Sequence, residues 1–114
     1  LQQLREAVWL LREEGSGTRE IIVHELTPHL YRLRTGIEFG TSEAIKRATA
    51  AGLGITCLSR WAISDMLKAG ELVELPTELP PLSRRFFLIT HHLKQFTPGM
   101  QRLIDYFMSF RTSA

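Results

Sequence analysis

The chain has a single cysteine, Cys57, among 114 residues. No internal disulfide can form, so a cystine-stapled secreted scaffold is excluded and a reducing compartment is favoured. No apolar run approaches the roughly 18 residues that a membrane-spanning helix requires, and no secretory leader is visible. The expectation is a cytoplasmic chain that meets no membrane. Surplus charge is also scarce: 14 Lys and Arg stand against 12 Asp and Glu, a net +2. The two signs are interspersed, as on a solvated surface, and no basic stripe marks a nucleic-acid groove. Metal-ligand spacing is missing as well. His24 and His29 are five apart, not the four that puts two imidazoles on one helical face, and His91 and His92 would point to opposite faces of a strand. No serine sits in a nucleophile elbow, and Glu13 and Glu14 have no paired carboxylate elsewhere. Neither catalysis nor a bound cofactor or metal is expected. The chain begins at Leu1 rather than Met, which reads as a piece of something longer.

What is present is a core and an order of elements. With 44% hydrophobic residues the chain can bury one real core and is too short for two ordinary domains. Residues 7–11 form a continuous apolar run, the pattern of a strand covered on both faces. A Gly15-Ser16-Gly17-Thr18 loop follows, then Ile22, Leu26, Leu30 and Leu33 at helical spacing; Thr27-Pro28 is expected to end one helix and open a short second one. Residues 37–39 read as a second strand. Thr41 or Ser42 caps the next helix, whose small apolar stripe is Ala44, Ile45, Ala48 and Ala51, with Gly52 as its stop. Residues 53–58 read as a third strand, with Cys57 as a core residue. Trp61, Ala62, Ile63, Met66 and Leu67 form the next helix, stopped by Gly70. Strands are also expected at 72–75 and 85–90, separated by Pro76, Pro80 and Pro81. Thr97-Pro98 opens a last helix with Met100, Leu103, Ile104, Phe107 and Met108 on one face. That face is wide enough to want a partner, and self-association is expected.

The order β-α-β-α-β-α-β-β-α predicts an α/β fold with a mainly parallel sheet flanked by helices. In open sheets of this kind the ligand crevice lies beyond the C-terminal ends of the strands. Those ends carry Ser16, Gly17 and Thr18, then Thr41 and Ser42, then Ser59 and Arg60. Helix N-termini with small hydroxyl residues attract anions through unpaired N–H groups and the helix dipole. The seven residues are therefore the candidate binding set, with Thr41 first among them and Arg60 as a fork for a carboxylate or sulfate.

Taken in order, Arg12-Glu13-Glu14-Gly15-Ser16-Gly17-Thr18-Arg19, then Ser42-Glu43-Ala44-Ile45-Lys46, then Ala51-Gly52-Leu53-Gly54-Ile55 resemble the effector-binding domain of LysR-type transcriptional regulators. Arg84-Arg85-Phe86-Phe87-Leu88-Ile89 and the closing amphipathic helix resemble that domain's return segment. The resemblance implies one lobe of a two-lobed, type 2 periplasmic-binding-protein-like fold with the effector held between lobes. Residues 1–90 would be the second lobe, and 91–114 the return segment and helix that belong to the first. It also implies a winged helix-turn-helix upstream, through which alone DNA is met, and a small-molecule effector, which the hydroxyl-capped helix starts predict to be an anionic metabolite. The loop entering the helix at Thr41 and Ser42 lines the inter-lobe cleft in that family. One position departs: where the family often has Leu-Pro after the third strand, this chain has Leu58-Ser59. A solute-binding lobe of a transport protein is the alternative use of the same fold, and an α/β enzyme is a third class without a catalytic constellation to support it.

Overall fold

In the computed structural model, which describes residues 1–110, β1 (Val8–Arg12) is the strand on which residues 1–80 are built. Trp9, Leu10 and Leu11 are all buried in it, so both faces are covered, as the unbroken apolar run predicts. In chain order the other elements are α1 (Gln2–Glu6), α2 (Gly17–Leu30), β2 (Arg34–Phe39), α3 (Ser42–Ala50), α4 (Arg60–Lys68) and α5 (Pro98–Ser109). The chain forms two compact units, Leu1–Pro80 and Pro81–Ala114; residues 111–114, the end of the expected return segment, lie outside the described residues.

In the first unit β2 pairs parallel to β1, from Val8 opposite Arg34 to Arg12 opposite Phe39, with a register shift between Trp9 and Leu11. On the other side of β1, Ile55 forms a parallel bridge with Trp9. Leu10 N donates to Ile55 O at 2.8 Å and Ile55 N to Val8 O at 2.9 Å. The spatial order is therefore β2, β1, residue 55, with β1 in the middle. Leu10, Ile45 and Ala48 form a buried cluster against which Val8, Phe39 and Leu58 pack, which places α3 on one face. Trp9 and Leu11 alternate to the other face, where α2 lies on β1 and buries Ile22, Leu26 and Leu30 along one stripe. The Trp9 indole donates to Leu4 O at 2.9 Å and ties α1 to that side.

Both helix stops read from the sequence are present. Gly52 and Gly70 have φ of +82° and +75°. After α3, Gly52 N donates to Thr49 O and Leu53 N to Ala48 O; after α4, Gly70 N donates to Leu67 O and Glu71 N to Met66 O. Each is a Schellman closure that the left-handed glycine makes possible.

Four expectations are corrected. Pro28 does not split the helix: α2 runs on to Leu30. Proline there forfeits only the bond to the His24 carbonyl, and the buried Leu30 and the Tyr31 N to Thr27 O bond of 2.7 Å hold the last turn. β2 starts at Arg34, three residues earlier than the apolar pattern indicated. The third strand shrinks to the bridge at Ile55, because the Thr56 hydroxyl donates to Leu10 O at 2.8 Å and occupies the acceptor that a further ladder rung would use. Residues 72–75 and 85–90 form no strand among the described residues. A strand exists only through a neighbour's N–H and C=O groups, and no described segment offers them a ladder.

In the second unit, α5 opens on Thr97, whose Oγ1 accepts from Met100 N at 3.2 Å, with Pro98 in the first turn. Its apolar side is present as expected, yet none of its residues is buried. Tyr106 and Phe110 meet edge to face at 4.8 Å between ring centres.

Candidate functional site

Because β1, β2 and the segment at residue 55 run parallel, their C-terminal ends lie along one edge, and α2, α3 and α4 all begin there. Each helix is capped by a hydroxyl. Ser16 Oγ accepts from Arg19 N at 3.4 Å, Thr41 Oγ1 from Ala44 N at 3.1 Å, and Ser59 Oγ from Trp61 N at 3.3 Å. Gly17, Ser42 and Arg60 are the first helical residues after those caps. Thr18 follows Gly17 and is itself engaged within the protein. All seven sequence candidates thus fall on helix starts at one sheet edge. A cap satisfies one N–H of a first turn and leaves others free of intrahelical partners.

The loops also have an order. Glu13 N donates to Phe39 O at 3.1 Å, so the loops after β1 and β2 leave the sheet side by side. The connection from β1 to β2 goes one way and the connection from β2 to residue 55 goes the other. That reversal makes the gap between β1 and residue 55 the switch point where ligands of such sheets bind. Ser16 and Ser59 flank it, and Thr41 stands on the far side of the β1 loop.

The charges around this edge were not legible from the sequence. Arg12 and Glu13 pair at 2.9 Å. Arg19 donates to Arg12 O at 3.0 Å and pairs with Glu38 across the strands. Arg60, read as a fork for an anion, pairs with Glu74 in this structure. Lys46 is buried, its ammonium 3.2 Å from Glu43 and 3.8 Å from Asp65, and so ties α3 to α4. The i, i+3 spacing of Glu43 and Lys46 was the signal that could have found it. Cys57 is half-buried, and burial pushes its thiol pKa up, away from the reactive thiolate. Among the described residues no group of three His, Cys, Asp or Glu could hold a metal ion, and no helix is long and apolar enough to cross a membrane.

The LysR substrate binding domain model matches residues 1–110. The chain belongs to this family. An uncharacterized HTH-type transcriptional regulator, YeiE, of Escherichia coli K12 is 48% identical over 106 residues, which are 93% of this chain and 36% of that protein. The RuBisCO operon transcriptional regulator of Acidithiobacillus ferrooxidans is 36% identical over 104 residues, 91% of this chain and 34% of that protein. In structure, the CcmR regulatory domain of Synechocystis PCC6803, solved in complex with 2-PG, matches with a TM-score of 0.72 and 28% identity, over 96% of this chain and 52% of that one. The chain spans about a third of the length of these curated relatives and about half of the solved domain. With transcriptional regulators as the relatives, the transport-lobe alternative falls away.

One consequence for this LysR substrate-binding domain follows from the Arg12–Glu13 pair. Hydrogen bonding from the Arg12 guanidinium, with a backbone bond and the Arg12 charge in support, lowers the Glu13 pKa from 4.5 to about 2. In that window the unfolded chain binds more protons than the folded one. The contribution is complete above about 4.5 and is lost as the pH falls toward about 2. Denaturant midpoints measured across that window should therefore rise with pH slightly more steeply in the native protein than in Glu13→Gln, the effect being small because both groups are solvent-screened. Identical slopes would show that the pair does not persist in solution.

Proposed function

We propose that this chain is the effector-sensing part of a LysR-type transcriptional regulator and that it holds a small anionic metabolite at the starts of α2, α3 and α4. The contacting set is Ser16, Gly17, Thr18, Thr41, Ser42, Ser59 and Arg60. The observation that carries this reading is the convergence of three hydroxyl-capped helix starts on one edge of parallel strands, because such starts aim unpaired N–H groups and positive dipole ends at the same space. The match to a regulatory domain solved with 2-PG supports an anion as the ligand class.

In this reading residues 1–90 are the second lobe, and 91–114 return to the first. Effector held between lobes favours the closed arrangement, and binding shifts the population by its difference in affinity for the two states. The attached DNA-binding domains, which alone touch the promoter, then engage it differently. The intact protein is cytoplasmic and catalyses no reaction. Titration of the intact protein with sulfate, phosphate and small carboxylates tests the site: backbone amides of Gly17, Ser42 and Arg60 should shift together. Their stillness at millimolar anion would count against it.

A homo-oligomer belongs to the same proposal. Leu103, Phe107 and Met108 on α5 are each about half exposed, and burying one such side chain is worth about 1.5–3 kcal/mol. Light scattering over a dilution series should report a species larger than one chain. A monomer at every concentration would remove the oligomer from the account.

A further inference from the structure

At the edge where β1 and β2 begin, opposite the helix starts, a cavity of about 490 Å³ is lined by Arg5, Glu6, Arg32, Leu33 and Arg34. Residues 1–80 contain seven arginines. Four of them hold a carboxylate: Arg12 pairs with Glu13, Arg19 with Glu38, Arg47 with Glu43 and Arg60 with Glu74. The other three are those that line this cavity, and among the described residues none of them makes an ion pair. The carboxylate of Glu6, the acidic residue of the lining, accepts from the Gln2 amide at 3.1 Å. The cavity therefore carries a net positive charge, three guanidinium groups against the one carboxylate of Glu6, with no ion pair between them among the described residues.

Two of the three guanidinium groups are also held in place. Arg5 stacks on the Tyr31 ring, 4.6 Å from its centre, and donates through Nη2 to His29 O at 3.1 Å. Its Nε is buried without a hydrogen-bond partner, a position that a native fold seldom leaves unanswered. Arg34 donates to Glu6 O at 3.4 Å, while Arg32 is exposed and makes no hydrogen bond among the described residues. Sequence reading did not find this cluster. Arg5 and Arg34 are far apart in the chain, and the parallel pairing that sets Arg34 opposite Val8 brings them to one edge.

We infer that this cavity is a second anion site, separate from the strand-end edge, for a small phosphorylated ligand. Its volume suits a small molecule. Guanidinium forks match phosphate oxygens in geometry, and a phosphate monoester brings nearly two negative charges and three strong acceptors to three cations.

Calorimetric titration of the full-length protein with inorganic pyrophosphate tests it, in a Thr41→Asp background that adds a negative charge at the strand-end edge. Pyrophosphate should still bind, and Arg32→Gln with Arg34→Gln should weaken it at least about tenfold, the loss expected for charge-assisted hydrogen bonds. Arg32→Lys with Arg34→Lys, which keeps charge and loses the forks, should fall between. Arg32→Gln alone touches no bond of the fold and should weaken binding even if the double variant does not fold. Absence of binding at millimolar pyrophosphate, or binding that the arginine substitutions leave unchanged, would overturn the site.

Discussion

Leu10→Ala should cost about 2–5 kcal/mol of unfolding free energy, the range for emptying a fully buried leucine site. Leu10 is 0% exposed, and its neighbours Ile45, Ala48, Val8, Phe39 and Leu58 come from α3, both strands and the segment before α4. They cannot all close on the space at once. Because β1 is the middle of the three parallel segments, a void there loosens α3 and the segment at Leu58 that leads into α4, and with them helix starts at the sheet edge. Leu103→Ala on α5 is the contrast, since Leu103 is 54% exposed and a surface change of this kind should stay within about 0.5 kcal/mol. Denaturant unfolding at unchanged slope reads both. A loss below about 1 kcal/mol for Leu10→Ala would mean that this is not the core.

Gly54→Ala should be strongly destabilising for the addition of a single methyl. A Cβ at Gly54 would lie 2.5 Å from Val8 O and 3.0 Å from Leu10 Cγ. The first of these is backbone, and it is held where it is by accepting from Ile55 N at 2.9 Å. The bridge must therefore open or β1 must move, at about 1–3 kcal/mol or more. Gly40 has nothing within 4 Å of the same position, so Gly40→Ala should change stability by no more than about 0.5 kcal/mol. The Gly54 variant should also lose anion binding, because the bridge at Ile55 is what brings Ser59 and Arg60 to the edge. Equal stability of the two variants would contradict the close approach.

The parts of the fold legible in the sequence are those decided locally. The hydroxyl caps at Ser16, Thr41, Ser59 and Thr97, the glycine stops at 52 and 70, and the apolar run of β1 each express a rule that operates within a few residues. What escaped depends on partners far along the chain. Thr56 spends its hydroxyl on Leu10 O and so ends a ladder that the apolar pattern of 53–58 promised. Residues 85–90 have a strand's composition, but no described segment pairs with them. Pro28 looks like a breaker until the burial of Leu30 is known. That the seven candidate positions fall at strand ends and helix starts was legible, because such boundaries are set locally; that they bind a ligand is the proposal. The Glu74 partner of Arg60 and the burial of Lys46 were not, since the tertiary fold brings Glu74 to Arg60 and Asp65 to Lys46; the Glu43 partner of Lys46 is local.

The most direct test of the strand-end edge is the anion titration repeated on Thr41→Asp and Thr41→Ser in the intact protein. Both aspartate and serine cap a helix at least as well as threonine, so α3 and the fold should be retained in each, which separates the binding role of Thr41 from its capping role. An added carboxylate about 4 Å from a bound anion opposes it by about 4 kcal/mol at an effective dielectric of 20. Affinity in Thr41→Asp should therefore fall by about a hundredfold or more, with Thr41→Ser close to the native protein. Equal anion affinity in all three proteins, with amides at Gly17 and Ser42 shifting alike, would contradict the placement of the effector at this edge.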